Sequence, residues 1–510
     1  MDGSQGIPRR AEPPVLVVGG GVAGLCCAMR LLAGGVPVTV LEAADAPGGK
    51  MRALPSPAGP VDAGPTVFTM AWVFERAFAE AGLRLSDYAA LSPAGVLARH
   101  AWPDGARLDL HASVEASAAA IGEAFGAREA AGFEAFQREA AAIHDTLRDT
   151  FMDAPRPSPV GLTRRIGSLR ASWRLKPWAS LWGALGRHFR DVRLRQLFGR
   201  YATYVGASPY RAPATLMLIA HVEQAGVWTV EGGMRAFALA LARAVEDLGG
   251  TVRTDARVAS IRPGGGVRLE TGERLAGRAV VFAGDASALA GMVGARAPAP
   301  VPPARRSLSA VTWTMAATVS GPAPARHTVL FSDDYRAEFD AIRRGAPPAA
   351  PTVYLCAQDR DDGGGGGVAG AERLLALTNA PANGDGDGWT DGEVARCTRA
   401  MTATLERCGM VLTPAAPPTI TTPKGFAALF PGSGGALYGR ASHGAMASFA
   451  RPGARTKVPG LYLAGGSAHP GAGVPMAAIS GRLAALALME DRASTPRSRP
   501  AAIAGGTSTG

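Results

Sequence analysis

"PPVLVVGGGVAGLCCAMRLLAGGVPVTVLEAAD", Pro13 to Asp45, carries the pattern on which the fold turns. Val15 to Val18 are apolar and mostly β-branched, as in a strand buried on both faces. Gly19, Gly21 and Gly24 follow with the spacing G-x-G-x-x-G. The first glycine permits a tight turn, the second lets backbone approach a pyrophosphate, and the third lets helix and strand pack closely. An apolar helix with Cys26 and Cys27 comes next, and a second strand, Val38 to Leu41, ends at Glu42. An acid there, 18 residues after Gly24, accepts hydrogen bonds from ribose hydroxyls. This order predicts an α/β domain with a Rossmann-like dinucleotide site.

The residues after Glu42 depart from a plain NAD fold, which would begin its next helix here. "APGGKMR", Ala46 to Arg52, instead offers a close backbone pass at Gly48 and Gly49 and brings Lys50 and Arg52 towards a diphosphate. "VDAGPTVFTM", Val61 to Met70, adds a Gly-Pro turn that also reads as a simple hairpin. Mid-chain, "EGGMRAFALALARAVEDLGGTVRTDARVASI" (Glu231 to Ile261) gives a turn at Gly232–Gly233, a helix to about Leu248 and two short strands. Val258 falls where backbone N–H and C=O reach an adenine edge. "RAVVFAGD", Arg278 to Asp285, is a buried strand ending in a glycine turn. Near the end, "GLYLAGGSAHPGAGVPMAAISGRLAA" (Gly460 to Ala485) repeats the device of strand, glycine turn and small-residue helix, with Pro475 in the helix's first turn. Two helix starts suit one extended dinucleotide clamped at both ends.

In this order, "GGGVAGL", "APGGK", "VDAGPTVFTM", "EGGM" and the final glycine stretch resemble the carotenoid (phytoene-type) desaturases. "GPTVFTM", "LFGRYATYVGASPY" (Leu197 to Tyr210) and "HVEQAGVWTVEGGM" (His221 to Met234) resemble most closely the 1-hydroxycarotenoid 3,4-desaturases, also called methoxyneurosporene or hydroxyneurosporene dehydrogenases. The resemblance spans roughly residues 14–490. It implies an α/β (α+β overall) architecture: a discontinuous FAD domain of amine-oxidase type, interrupted by a substrate-binding domain. Residues 14–75, 226–290 and 426–490 are expected to form the FAD domain. Residues 76–225 and 291–425 are expected to form the substrate-binding, membrane-facing domain, with 1–13 a flexible N-terminus and 491–510 a disordered tail. Carried over by position, FAD contacts fall at Glu42, Lys50, Gly64, Pro65, Val258, Leu437, Gly466 and Gly473, Val474, Pro475 and Met476, besides Gly19, Gly21 and Gly24. Many flavoproteins place an Asp where Gly466 stands, so backbone N–H groups are expected to take its role.

The implied chemistry is FAD-dependent desaturation of an acyclic (1-hydroxy)carotenoid, with hydride passing to flavin N5 and oxygen or a quinone as terminal acceptor. For the proton, the candidates are Glu223 and Arg200, each of which also reads as a structural ion-pair partner, and His469, which also reads as a turn cap. A carotene cis–trans isomerase, a squalene-type oxidase, a flavin amine oxidase or a non-catalytic flavin or polyene carrier would share the scaffold.

Composition bounds these readings. The chain has 510 residues, 47% hydrophobic and 19% charged, a globular balance with room for two or three cores. Five cysteines form no CxxC pair and no metal spacing, so no metal site is expected and a reducing cytoplasm fits. No secretory h-region stands at the start, and Val15 to Met29 is too short and glycine-broken to span a bilayer. The net charge of +11 concentrates between 161 and 200, where ten Lys and Arg face one acid, Asp191. Trp178, Leu181, Trp182, Leu185, Phe189 and Val192 follow helical spacing through it. A basic, Trp-bearing helix suits peripheral attachment to a membrane's inner face, and equally a domain helix with a solvated basic side. Nucleic acid is a poorer third reading because no binding motif accompanies the charge. "PANGDGDG", Pro381 to Gly388, reads as a flexible surface loop.

Overall fold

The computed structural model describes residues 12–176, 178–360 and 370–494. The expectations for residues 1–11 and for the tail from 495, and the sequence reading of Asp359 to Gly370 as a flexible surface loop where it falls on 361–369, lie outside them.

A five-stranded sheet runs in the order Thr251–Arg253, Val38–Leu41, Val15–Val18, Ala279–Phe282, Leu461–Leu463, with every neighbouring pair parallel. Alternate residues divide between its faces. Val15, Val17, Val38, Val40, Ala279 and Val281 meet the helices Val22–Ala33, Gly233–Asp247 and Val474–Ser494. Leu16, Val18, Leu41, Val280, Phe282 and Leu463 meet an antiparallel meander of Val258–Arg262, Gly266–Leu269 and Arg274–Ala276. Burial on both faces is why these strands read as unbroken apolar runs.

A second, eight-stranded sheet has the order Val411–Pro414, Ser309–Ser320, Glu372–Ala380, Val353–Ala357, His327–Leu330, Val96–Ala101, Arg107–His111, with Thr419–Thr421 beside Ser309–Ser320. Its pairs are antiparallel except His327–Leu330 with Val96–Ala101. The helix Asp391–Arg407 covers one face through Cys397, Met401 and Leu405. Helices from the 114–224 region cover the other through Phe133, Phe136, Leu185 and Phe198. A small sheet, Phe68–Thr69 with Val227–Val230 with Leu91–Pro93, lies between the two bodies in sequence.

Several expected boundaries shift. Helix Ala71–Ala79 crosses the 75/76 division, and its Ala71, Val73, Phe74 and Phe78 pack into the parallel-sheet core. Helix Pro423–Leu429 likewise crosses 425/426. The last helix continues through Ser494, and Asp491, assigned to a disordered tail, accepts hydrogen bonds from Arg455 and from the Tyr462 hydroxyl at 2.8 Å. The stretch 381–388 is tied rather than free: Asp385 pairs with Arg306 at 2.6 Å, and Trp389 Nε1 donates to Asn383 Oδ1.

The 161–200 segment corrects the single-helix expectation. Helix Leu181–His188 ends at Phe189, and a separate helix, Val192–Gly199, begins after the Asp191 cap. Leu181, Leu185 and Phe189 are buried in the domain core, and each such side chain contributes about 1.5–3 kcal/mol. Val192, the last residue of the expected stripe, is 56% exposed. Arg193 and Arg195 are structural: the first pairs with Asp191 and Asp104, and the second donates to the Phe189 carbonyl, beyond the end of the earlier helix. Trp173 and Trp178 stay outside, 67% and 64% exposed, packed edge to face.

Candidate cofactor site

The first glycine turn sits at the carboxyl end of Val15–Val18. Gly19 has φ +108°, open to glycine and strained for other residues. A Cβ on Gly24 would collide with the Gly19 carbonyl oxygen, which holds helix and strand in backbone contact. Across this turn lies the Ala46–Lys50 loop: the Gly48 N–H donates to Gly20 O at 2.9 Å, and Gly21 bridges to Gly48. Glu42 ties the same turn down, accepting from the Gly20 N–H at 2.7 Å and the Ala44 N–H at 2.9 Å. Each carboxylate oxygen retains a lone-pair direction for a ribose hydroxyl. Ala256 N–H donates to Glu42 O, which brings buried Val258, two residues on, to the neighbourhood of Glu42.

Lys50 reaches across the chain. Its ammonium donates to the Leu437 carbonyl, so two expected contact residues 387 positions apart meet directly. Gly64 packs so tightly on the Lys50 carbonyl that a Cβ there would overlap it, which places Gly64 and Pro65 beside the same loop. Arg52 departs from expectation: it donates to Thr421 of the mixed sheet at 3.0 Å and does not join Lys50. The mid-chain helix is anchored here too, with Asp62 accepting from the N–H groups of Met234 (2.6 Å) and Arg235 (3.0 Å). The Arg235 guanidinium then donates to the Pro47 carbonyl.

The last glycine turn closes the arrangement. Cβ positions on Gly19 and Gly465 would lie 3.4 Å from Ala283 C and 3.3 Å from Ala283 O, so both turns flank the Ala283–Gly284 backbone. Gly481 lets the final helix touch the first at Ala23 O. Gly473 (φ +112°) opens that helix and accepts from the Ala477 N–H at 2.9 Å, with Val474, Pro475 and Met476 forming its first turn. Two helix N-termini, with their free N–H groups and positive dipole ends, therefore begin on one edge of the parallel sheet.

Two of the proton-acceptor candidates, Glu223 and Arg200, share one buried cluster. Glu223, 2% exposed, accepts from the hydroxyls of Tyr201 and, at 2.8 Å, of Tyr204. Arg200 lies over the Tyr204 ring at 4.9 Å. Burial alone lowers its guanidinium pKa, and Tyr204, Glu223 and Tyr201 around it more than reverse that. His469 is separate from these, with Nε2 2.9 Å from Ala154 O and burial pushing its pKa down to about 4.

Residues 22–489 match the family described as flavin containing amine oxidoreductase. A hydroxyneurosporene desaturase of Rubrivivax gelatinosus is 50% identical over 97% of this chain and 97% of its own length. One from Cereibacter sphaeroides is 47% identical, covering 96% of this chain and all of its own. A 1-hydroxycarotenoid 3,4-desaturase of a Flavobacterium is 27% identical, over 92% of this chain and 98% of its own. The chain belongs to the flavin-containing amine oxidoreductases, with the hydroxyneurosporene desaturases. An oxidoreductase structure from Methanosarcina mazei shares the fold with a TM-score of 0.59 at 15% identity, covering 94% of this chain and all of that one.

The residues suit the FAD of this flavoprotein family. Lys50 and Arg451 both donate to carbonyl oxygens: Lys50 to Leu437, Arg451 to Gly466 (2.7 Å), Arg440 (2.8 Å) and Tyr438 (3.1 Å). Burial lowers both pKa values, that of Arg451 to about 10, with the Asp285 carboxylate partly offsetting it. Cations held at such cost beside two helix N-termini match a dinucleotide's diphosphate.

Arg451 and Asp285 escaped the sequence reading. Arg451 belongs to no glycine motif, and its three carbonyl partners come from two other stretches of chain. The terminal acid of "RAVVFAGD" was visible, but Asp285's proximity to Lys50 was not. Spacing also could not unite His144, Asp145 and His221, the group of metal-capable side chains found among the described residues, whose ligand atoms lie within 4.8 Å.

Proposed function

We infer that this chain is an FAD-dependent oxidoreductase acting on CH–CH groups, introducing a C=C bond into an acyclic hydroxylated carotenoid in carotenoid biosynthesis. The observation that carries this is 50% identity to a hydroxyneurosporene desaturase across nearly the whole of both chains. Removing hydrogen from a CH–CH unit takes away two electrons and two protons. When bound, the flavin supplies the two-electron acceptor that no side chain offers.

The protein's own residues do the rest. Gly19, Gly21 and Gly48 would allow backbone to lie against the dinucleotide, Glu42 would accept from its ribose hydroxyls, and Lys50 and Arg451 would offset its charge. The first turn of the final helix, Gly473 to Met476, holds the other end. Phe68, Phe74 and Phe237, fully buried and in mutual ring contact at 4.9–5.2 Å, tie the Phe68–Thr69 strand into the parallel-sheet core beneath this site. Glu223 is our candidate proton acceptor, with Tyr201 or Tyr204 as its relay. Glu223→Gln should keep its flavin and lose about a hundredfold in kcat; full turnover would leave Glu223 a structural residue.

The finer reading places the new double bond near the hydroxyl-bearing end, as in a 1-hydroxycarotenoid 3,4-desaturase, with oxygen or a quinone as final acceptor. It also places the protein in the cytoplasm, peripherally attached to the inner face of a bacterial membrane that supplies its substrate. Exposed Trp173 and Trp178, with exposed Arg164, Arg165, Arg187 and Arg190 on the same 161–200 segment, support the attachment. No helix of the described residues is long and apolar enough to cross a membrane.

Purified protein with FAD and lipid vesicles, given a hydroxylated acyclic carotenoid, should yield a red-shifted polyene two hydrogens lighter. Unchanged mass with a changed isomer ratio would indicate an isomerase. Failure of substrate to bleach the flavin under anaerobic mixing would leave a carrier.

A further inference from the structure

Thr66 follows the Gly64–Pro65 turn and lines a small cavity of about 10 Å³, room for a group the size of one water, walled by Trp228, Val230, Met234 and Cys356, with Asp62, Arg326 and Gln358 at one side. The polar groups of that side have internal partners. Asp62 caps the Gly233–Asp247 helix, and Gln358 exchanges hydrogen bonds with the Asp62 backbone, both at 2.9 Å. Thr66 differs. Its hydroxyl lies 2.6 Å from the Tyr354 hydroxyl, which lies 2.8 Å from His327 Nδ1. His327 is buried, with its pKa pushed down to about 3, and burial pushes Tyr354 well up, so imidazole and phenol are both neutral and the chain has fixed members. Whichever way its hydrogens run, Thr66 keeps hydrogen-bonding capacity towards the cavity.

We propose that Thr66, positioned by Tyr354 and His327, is the receptor for the substrate's terminal hydroxyl and sets the preference for hydroxylated over plain acyclic carotenoids. This rests on the desaturase reading above. A receptor that selects for this hydroxyl belongs close to the flavin site, because in a 1-hydroxycarotenoid the oxygen is only a few bonds from the carbons that lose hydrogen. Thr66 meets that condition, standing next to Pro65, with Trp228, Val230 and Met234 as apolar neighbours on the same cavity wall. A site built to bond a hydroxyl rejects the analogue that lacks one, because its own polar group is left unpaired.

The test compares kcat/KM for a 1-hydroxylated acyclic carotene and for the same carotene without the hydroxyl, with flavin content measured alongside. Wild type should favour the hydroxylated substrate, Thr66→Val should lower that ratio by about tenfold or more, and Thr66→Ser should restore it. Tyr354→Phe, which leaves the threonine in place but removes its orienting hydroxyl, should lower the ratio by a smaller factor. Equal use of both substrates by wild type, or an unchanged ratio in Thr66→Val with full flavin content, would overturn the proposal. If wild type converts neither, the desaturase reading itself fails.

Discussion

Val15–Val18 and Leu181–His188 both contribute apolar residues to a core, yet they behave differently. The strand is enclosed on two faces, by helices on one side and a meander on the other, and parallel neighbours set its register on both edges. The helix buries Leu181, Ala184 and Leu185 and leaves Gly183, Gly186 and Arg187 outside. A doubly buried strand has one place to go. A one-sided basic helix has two possible partners, lipid or its own domain, and nothing local chooses between them. The protein divides the work: the helix turns inward while Trp173 and Trp178, just before it, remain exposed.

The largest effect is expected where backbone meets backbone. Gly24→Val places a branched side chain on Gly19 O and against Val17. It should cost roughly 3 kcal/mol or more in stability and abolish retained flavin, read from the absorption of purified protein and its Tm. Wild-type flavin content would break the claim that this contact shapes the site. Lys50→Met should preserve the fold and weaken FAD binding by about tenfold or more, measured by reconstitution titration, since a charge-assisted contact is lost.

Acid should weaken both regions through buried histidines. Burial pushes His327 in the mixed sheet from 6.5 to about 3 and His469 in the last glycine turn to about 4. Below pH 6.5 the unfolded chain binds protons that the folded one refuses. Their contribution is therefore complete above 6.5 and lost as pH falls through the window towards these values. Tm should decline there, and His327→Gln or His469→Gln should flatten the decline; a wild-type Tm that is level across the window would contradict it.

The smallest stability effect belongs to the exposed tryptophans. Trp173→Ala with Trp178→Ala should change stability by about 0.5 kcal/mol or less while reducing sedimentation with anionic vesicles. Leu185→Ala, close by, should cost about 2–5 kcal/mol. Unchanged vesicle binding in the tryptophan variant would return the whole segment to a domain role.

Legibility followed the same division. Glu42, the glycine turns and the strands around them were readable because each rests on neighbouring residues: a glycine spacing, a short apolar run, an acid at a strand end. The break at Phe189 was not, since apolar spacing continues through it to Val192 and only the Asp191 cap marks the new start. The expected boundary at 75/76 cuts the helix Ala71–Ala79 in its middle, because a strand-to-helix change does not announce which core it joins. Arg200 and Glu223 were picked out separately; that they share a buried cluster with Tyr201 and Tyr204 depends on helices folded onto one another.

The sequence by itself determined the parallel dinucleotide sheet, the two helix starts and the family, because glycine turns and short apolar runs are properties of adjacent residues. Only the tertiary structure decided that Lys50 meets Leu437, that Arg451 is buried against Gly466, and that Thr66 stands at the head of a hydrogen-bonded chain. Those pairings join residues far apart in sequence, and their energies arise only when burial removes the water that would otherwise satisfy each group.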